Sequence, residues 1–358
     1  MPPERDGQLM KALLTQVVFL VGGQPYDWAD VALAARLWRD WDILEEEVRQ
    51  GLACVKRLED ADEEPDPDQI TAAAEAFRYE RDLLTAAETE AWLKLWDLTA
   101  ESWMAYIERS VLRTEWAPEL PEIVARYPAE ADQVADAIGA EGVCSGHFVQ
   151  FAWKLAGRAA VYQRMQADRA NGTFPEGGDE RVTEVAGQEL PGIDLSVRRE
   201  KMVTLARLEP AFARFRELVL TSGAIRDAVN AHHLDWIRLD CRAVSFPDQQ
   251  MAQEALLCIR EDGAELAEVC RAAKSAVHEA RFFLDETDAG SRHAFLSAIK
   301  GDLLGPLPIN GGFSLFRVHD KILPSADDPA VRQRAERDAL NRAVQQEINN
   351  RVRWQIPL

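Results

Sequence analysis

The amino-acid sequence predicts an α+β protein that is mostly helical and carries one small mixed unit. Three observations predict it. Apolar residues recur at steps of three and four through most of the chain before Leu234. Between Leu234 and Lys321 the texture changes to short alternating runs punctuated by turn residues. The chain then closes on SADDPAVRQRAERDALNRAVQQEINNRVRW, an amphipathic run that reads as one long helix.

The elements follow in order. ALLTQVVFLVGG, after Lys11, reads as a first buried helix; it is shorter than the roughly 18 apolar residues that span a bilayer, and it has no clean cleavage site of a secretory leader. Leu33, Leu37, Trp41, Leu44, Val48 and Leu52 form one apolar helical face, and the acidic loop EDADEEPDPD ends it, with Pro65 and Pro67 blocking continuation. A second helix starts near Asp68. Thr85 and Thr99 suit the starts of two more, because a threonine hydroxyl can accept from the first free amides of a helix. No β-alternation is expected before Trp116. Residues 121–165 continue helically, with HFVQFAWKLAGRAAVYQRM as the strongest run. Residues 166–196 carry Gly172, Pro175, Gly177, Gly178, Gly187, Pro191 and Gly192 among charges and read as a loop or linker. VRREKMVTLARLEPAFARFRELVL is a further helix, interrupted or kinked at Pro210.

In the mixed unit, DWIRLDCRAVSF reads as a strand with Ile237, Leu239 and Cys241 on one face and Ala243 continuing it. Two helices follow, in QQMAQEALLCIRE and DGAELAEVCRAAK. VHEARFFLDE is a strand and HAFLSAIK a short helix. LLGPLPINGGFSLFRVHDK is a hairpin whose Asn310-Gly311-Gly312 turn supplies residues at ease with positive φ. In the closing helix, Asp327 or Asp328 suits the cap and Pro329 the first turn. Val331, Ala335, Val344, Ile348 and Val352 form its stripe, and the N-terminal helices are its expected partner.

Composition narrows the function. A formal charge of −20 argues against nucleic acid or an anionic membrane as partner and favours a cationic segment. Five scattered cysteines without a CxxC pair fit thiols of a reducing compartment, so a cytoplasmic location is expected. The six histidines show no metal-ligand spacing, the acidic loop lacks the glycine and glutamate of a calcium loop, and no glycine pair sits in a phosphate-cradling context. No metal and no cofactor are expected. The CSGH stretch at 144–147 reads as a helix start at Ser145 and not as a cysteine–histidine dyad.

The strand IRLDCRAV, the helical stretch QQMAQEALLCIREDGAELAEVC, the strand EARFFLDE and the segment AFLSAIKGDLLGPLPINGGFSLFRVHDK together resemble a parvulin, the small peptidyl-prolyl isomerase domain. The surrounding helices, FRYERDLLTAAETEAWLKLWDLTAESWMAYIERSVLR above all, are similar to the peptide-binding module of SurA-type foldases. The whole chain also resembles parvulin-related maturation proteins that accompany ribosomally made, modified peptides, a match carried by ALLCIREDG and DDPAVRQRAE.

The resemblance implies a SurA-like helical module over residues 1–165, a linker over 166–196, connecting helices over 197–232, a parvulin-like domain over 233–323, and a C-terminal helix over 324–358 that returns to the helical module. Parvulins usually carry a histidine in the first strand and another in the last. The matching positions here are Cys241, or Asp240 if the register slips by one, and Ser314. Isomerisation needs an apolar pocket and a polar network suited to the twisted amide, so a pocket can outlast its histidines. The expected function is therefore to hold a precursor or unfolded peptide and present it to modifying enzymes, with no catalytic residue. The alternatives are an active isomerase using Cys241 or Asp240 with Ser314, and a general holdase for exported proteins.

The resemblance places Phe246, Phe283, Phe295 and Phe316 with Ser314 at the peptide groove; of the adjacent Phe282 and Phe283, one faces in and one out. In the N-terminal third, Trp92 and Trp96 share a helical face, which reads either as core packing or as an aromatic cleft for peptide side chains.

Overall fold

The computed structural model describes residues 13–167, 179–186, 193, 198–272, 275–309 and 311–356. The chain is mostly helical with two small antiparallel sheets, the class its periodicities predict. It divides into two compact units, Met1–Arg216 with Ala343–Leu358, and Glu217–Arg342.

The first unit corrects the reading of its opening segment. ALLTQVVFLVGG holds no long helix: Val17–Val21 is strand β1, and it turns through Gly22 and Gly23 into β2, Gln24–Asp27. Both glycines have positive φ, 58° and 85°, which a two-residue hairpin turn requires and which only glycine adopts without strain. The β-branched Val17, Val18 and Val21 favour the extended form.

Helices α1 (Trp28–Leu37), α2 (Asp40–Asp60), α3 (Pro67–Glu80), α4 (Ala86–Leu95), α5 (Ala100–Glu115), α6 (Leu120–Arg126), α7 (Ala131–Cys144) and α8 (His147–Ala167) follow. Local chemistry starts several of them. Thr85 and Thr99 are N-caps with reciprocal capping boxes, through Glu88 and Ser102. Asp66 caps α3 with Pro67 in its first turn. Ser145 ends α7, and α8 opens two residues later at His147. Helix α9 (Asp179–Ala186) lies within the segment read as a loop, and it buries Val182 and Val185 in the main core; a short helix among glycines and charges shows too little period to be seen. Helix α10 (Arg199–Val219) runs unbroken through Pro210.

The core of this unit gathers Phe19, Trp28, Leu33, Trp41, Leu44, Phe148, Phe151 and Leu155. Beside it lies a buried ionic network. Glu141, with no exposed surface, accepts from Arg109 and Arg113 at 3.1 Å each, and Arg113 and His147 both reach Glu47. Ion pairing of this kind is what lets a carboxylate sit in a core.

The second unit begins with α11 (Ser222–Ala231), capped by Thr221. Its sheet contains β3 (Arg238–Phe246), then, after α12 (Gln249–Glu261) and α13 (Leu266–Ala272), β4 (Val277–Phe283). Helix α14 (Ala289–Ser297) precedes β5 (Leu303–Ile309) and β6 (Gly312–Ile322). This is the strand, two helices, strand, helix and hairpin order that the sequence predicts. The order across the sheet is β4-β3-β6-β5, all antiparallel. One face packs Val244, Phe246 and Leu315 against α12 and α13; the other packs Leu239, Cys241, Ala243 and Phe316 against Phe295 of α14. Of the hairpin turn, Asn310 lies outside the described residues.

The closing helix α15 (Pro329–Arg351) starts on Asp328, whose Oδ1 accepts from the amides of Ala330 and Val331, which decides between the two candidate caps. Its expected partner accounts for only its second half. Val331 and Ala335 pack with Ile225, Val229, Trp236 and Phe283 inside the second unit. Val344 and Ile348 belong to the first, where they lie over Gly157 of α8. The helix gives way to β7 (Val352–Trp354), an unforeseen strand that pairs with β1, Phe19 opposite Trp354.

Candidate functional site

The second unit holds a groove of about 460 Å³ on the α14 face of its sheet, within the range of small-ligand and side-chain sites. Its apolar floor is a triad of rings. Phe282 on β4, Phe295 on α14 and Phe316 on β6 meet edge to face, with centroids 5.1, 5.2 and 6.1 Å apart. This is the favourable arrangement for rings with negative faces and positive edges. Period-two alternation produces it: Ser314, Phe316 and Val318 leave β6 on the same side, and Leu239, Cys241, Ala243 and Ser245 leave β3 on that side too.

Three serine hydroxyls line the groove. Ser245 and Ser314 are direct cross-strand partners, and their Oγ atoms lie 3.0 Å apart. One hydroxyl donates to the other, so the second keeps its proton for a ligand carbonyl. The third is Ser291, in the first turn of α14. It is 1 % exposed, and its Oγ has no partner of hydrogen-bond geometry. Ser291 follows the N-cap Asp288, whose Oδ1 accepts from the amides of Gly290 and Ser291, both at 2.9 Å. The Ser291 hydroxyl, close by, and these amides hold the Asp288 carboxyl below the usual carboxylate range. The rim is completed by Glu286, Thr287, His278, Pro308 and Ile309. Glu286 is engaged twice, by the Phe283 amide and by Arg334.

The expected site residues separate on this geometry. Phe295, Ser314 and Phe316 come together in the groove. Phe283 does not: its neighbour Phe282 faces the groove, while Phe283 turns to Trp236, Val331 and the Arg334 guanidinium, 3.9 Å from its ring centroid. Phe246 points to the opposite face, against α12. Cys241 faces the triad but is 1 % exposed, inside the cluster beneath the groove, and burial pushes its thiol up to about 11. It does not line the cavity. Asp240 stands between Leu239 and Cys241, so alternation turns it the other way, with its carboxylate 3.6 Å from Arg238. Cys241 and Ser314 thus share a side of the sheet, and Asp240 does not join them.

Trp92 and Trp96 lie in the first unit and pack inward. Trp96 is buried against Trp28, at 5.5 Å, and Trp92 meets Phe77 edge-on at 5.5 Å. Trp96 borders only a cleft of about 70 Å³, with Leu13, Asp97 and Val143. The CSGH residues form no dyad: the carbonyl of Cys144 accepts from Arg81, and His147 pairs with Glu47.

Sequence reasoning missed Phe282, Ser245 and Ser291. A signal existed for the last: Asp288 followed three residues on by a small hydroxyl residue is the pattern of a capped helix start. Among the described residues no group of three or more His, Cys, Asp or Glu could hold a metal ion, and no helix is long and apolar enough to cross a membrane.

No protein-family model matches the chain, and no curated protein matches it. Among solved structures it is similar to the peptidylprolyl isomerase PrsA of Bacillus cereus, at 13 % identity over 63 % of this chain and 87 % of that one, with a TM-score of 0.32. PrsA of Bacillus anthracis shares 10 % identity over 56 % of this chain and 96 % of its own, at a TM-score of 0.28. For PrsA of Bacillus subtilis the values are 13 %, 57 %, 86 % and 0.20.

Proposed function

We propose that this chain is a peptide-binding accessory protein that holds an extended segment of a precursor or unfolded peptide in the groove of its second unit. The observation that carries the proposal is the pairing of an aromatic floor with hydroxyls that still have hydrogen-bonding capacity. Phe282, backed by the buried Phe295 and Phe316, offers apolar contact, while the Ser245–Ser314 pair and Ser291 offer a donor and acceptors for a peptide backbone. The sequence resemblance supports the further reading that the peptide belongs to the maturation of a ribosomally made, modified product, with the bound segment presented to modifying enzymes.

The proposal includes loss of isomerase turnover. At the positions where the resembling family carries imidazoles stand a buried thiol and a hydroxyl committed to another hydroxyl. Neither presents a titrating group near neutral pH. The test has two arms. Fluorescence anisotropy with a labelled precursor peptide from the same genomic neighbourhood is expected to show saturable binding, weakened by Phe282→Ala. A proline-peptide isomerisation assay is expected to show no turnover above buffer. No binding at tens of micromolar overturns the first claim, and turnover lost on changing Ser314 and Cys241 overturns the second.

A further inference from the structure

The groove carries charge of one sign. Asp288 and Glu286 line it, and no arginine or lysine does so among the described residues. The cations nearest in sequence or by contact are engaged elsewhere: Arg292 pairs with Asp235, and Arg334 bridges Asp285 and Glu286. Arg334 therefore neutralises much of Glu286, and Asp288 is the carboxylate left without a cationic partner. Both amide bonds to Asp288 end on Oδ1, so its Oδ2 accepts from no described donor of hydrogen-bond geometry.

Next to this carboxylate lies the Ser291 Oγ, on a residue 1 % exposed and with no partner of hydrogen-bond geometry. An unsatisfied buried hydroxyl is a cost that native structures usually avoid, and here it lines the cavity. A hydroxyl that turns its proton toward the Asp288 carboxylate keeps its lone pairs as acceptors. The groove thus sets two acceptors together, one of them anionic, at the edge of a wall of three phenylalanine rings.

We propose that the groove selects segments in which a basic residue flanks an apolar one, with the apolar side chain on the Phe282–Phe295–Phe316 triad and the ammonium or guanidinium on Asp288 Oδ2 and Ser291 Oγ. Three donors on an ammonium, or the fork of a guanidinium, suit two adjacent acceptors that a neutral or acidic side chain would leave unpaired. The chain's net charge of −20 steers such segments in the same direction. This selectivity rests on the peptide-binding reading above, and it adds to that reading the class of peptide.

The test uses the full chain and three acetylated, amidated, fluorescent peptide sets. Each set has Leu, Phe or Pro at its centre, and its two flanking residues are both Lys, both Ala or both Glu. Anisotropy titrations at low ionic strength are expected to rank the sets Lys, Ala, Glu, with roughly tenfold between the first and last. Asp288→Asn removes the charge but keeps a residue that caps helices equally well, so α14 stays capped. In that variant the Lys and Glu sets are expected to converge. Ser291→Ala is expected to weaken the Lys set and leave the Glu set unchanged. Lys and Glu sets binding within twofold of each other overturn the selectivity and leave peptide binding standing, as does a preference that persists unchanged in Asp288→Asn. If none of the three sets binds, peptide binding itself fails, and the selectivity with it.

Discussion

Phe282 and Phe283 are adjacent, chemically identical and opposite in orientation, so truncating each in turn separates groove from scaffold. Phe282 is half-buried and makes two edge-to-face contacts, to Phe295 and Phe316. Such contacts contribute about 0.5–1.5 kcal/mol each beyond burial, and half-burying a phenylalanine contributes about 1 kcal/mol. Phe282→Ala should therefore destabilise the second unit by roughly 2–4 kcal/mol. Phe283 is 9 % exposed, packs with Trp236 and Val331, and lies under the Arg334 guanidinium. Its truncation should cost about 3–5 kcal/mol. The stability ranking places Phe283→Ala at or above Phe282→Ala. Peptide affinity should rank the other way, because Phe282 supplies groove wall and Phe283 supplies none. Loss of a wall residue of about 1–2 kcal/mol is a roughly 5- to 30-fold rise in Kd. Urea unfolding followed by far-UV circular dichroism measures the first ranking, and peptide anisotropy the second. The Leu variants at both positions keep the comparison available if an alanine variant unfolds. Affinity lost in a folded Phe283 variant and retained in a folded Phe282 variant would refute the assignment of the groove face.

Three further outcomes follow from the same geometry. Glu141→Gln leaves Arg109 buried without its carboxylate and Arg113 with Glu47 alone, so the urea midpoint of the first unit should fall by the equivalent of about 3–5 kcal/mol; an unchanged midpoint would mean the network is structurally idle. Gly305 has a φ of +120°, and a Cβ there would lie 2.6 Å from the Ser314 carbonyl oxygen, so Gly305→Ala should displace β5 from β6 and lower both the melting temperature and peptide affinity. At the start of α4, hydrogen bonds from Thr85 hold the Glu88 carboxyl below its ordinary range. The capping box is then fully favourable above the usual carboxylate range and is lost as pH falls through the lower folded-state value, so the Thr85 amide resonance should titrate in acid, and Glu88→Gln should abolish that titration.

What the sequence made legible was set by how local the cause was. Thr85, Thr99 and Asp328 cap helices through atoms three or fewer residues away, and a residue type at one position suffices to see them. The β1–β2 hairpin reads as helix from the sequence because its apolar run is short, and such runs do not distinguish strand from buried helix. Its stabilising neighbour β7 lies at the other end of the chain, with Trp354 against Phe19. The groove is partly visible in the sequence: the Gly312-Phe313 pair at the start of the last strand fixes the register of Ser314, and the resemblance places Phe295 and Phe316. The choice between Phe282 and Phe283 was not visible, since two adjacent aromatics satisfy alternation in either phase and only the pairing of Arg238 with Phe283 fixes it. Ser291 carries no apolar pattern at all, and its importance comes from burial beside Asp288.

The same residues bear on why binding and not turnover is the proposed activity. A catalyst of prolyl rotation must favour the twisted amide over both planar forms, which calls for polar groups held in readiness for a carbonyl that has left the amide plane. In this groove the two hydroxyls on the central strands are already joined to each other. That pairing leaves one hydroxyl proton free, and a lone donor serves a planar carbonyl as readily as a rotated one. The thiol beneath them is buried and neutral. Phe282, backed by Phe295 and Phe316, by contrast offers an apolar side chain contact that is indifferent to the amide torsion. Planar and twisted forms then gain nearly equal binding, which lowers Kd without lowering the rotational barrier. The proposed activity is therefore to hold a chain in the conformation in which it arrives.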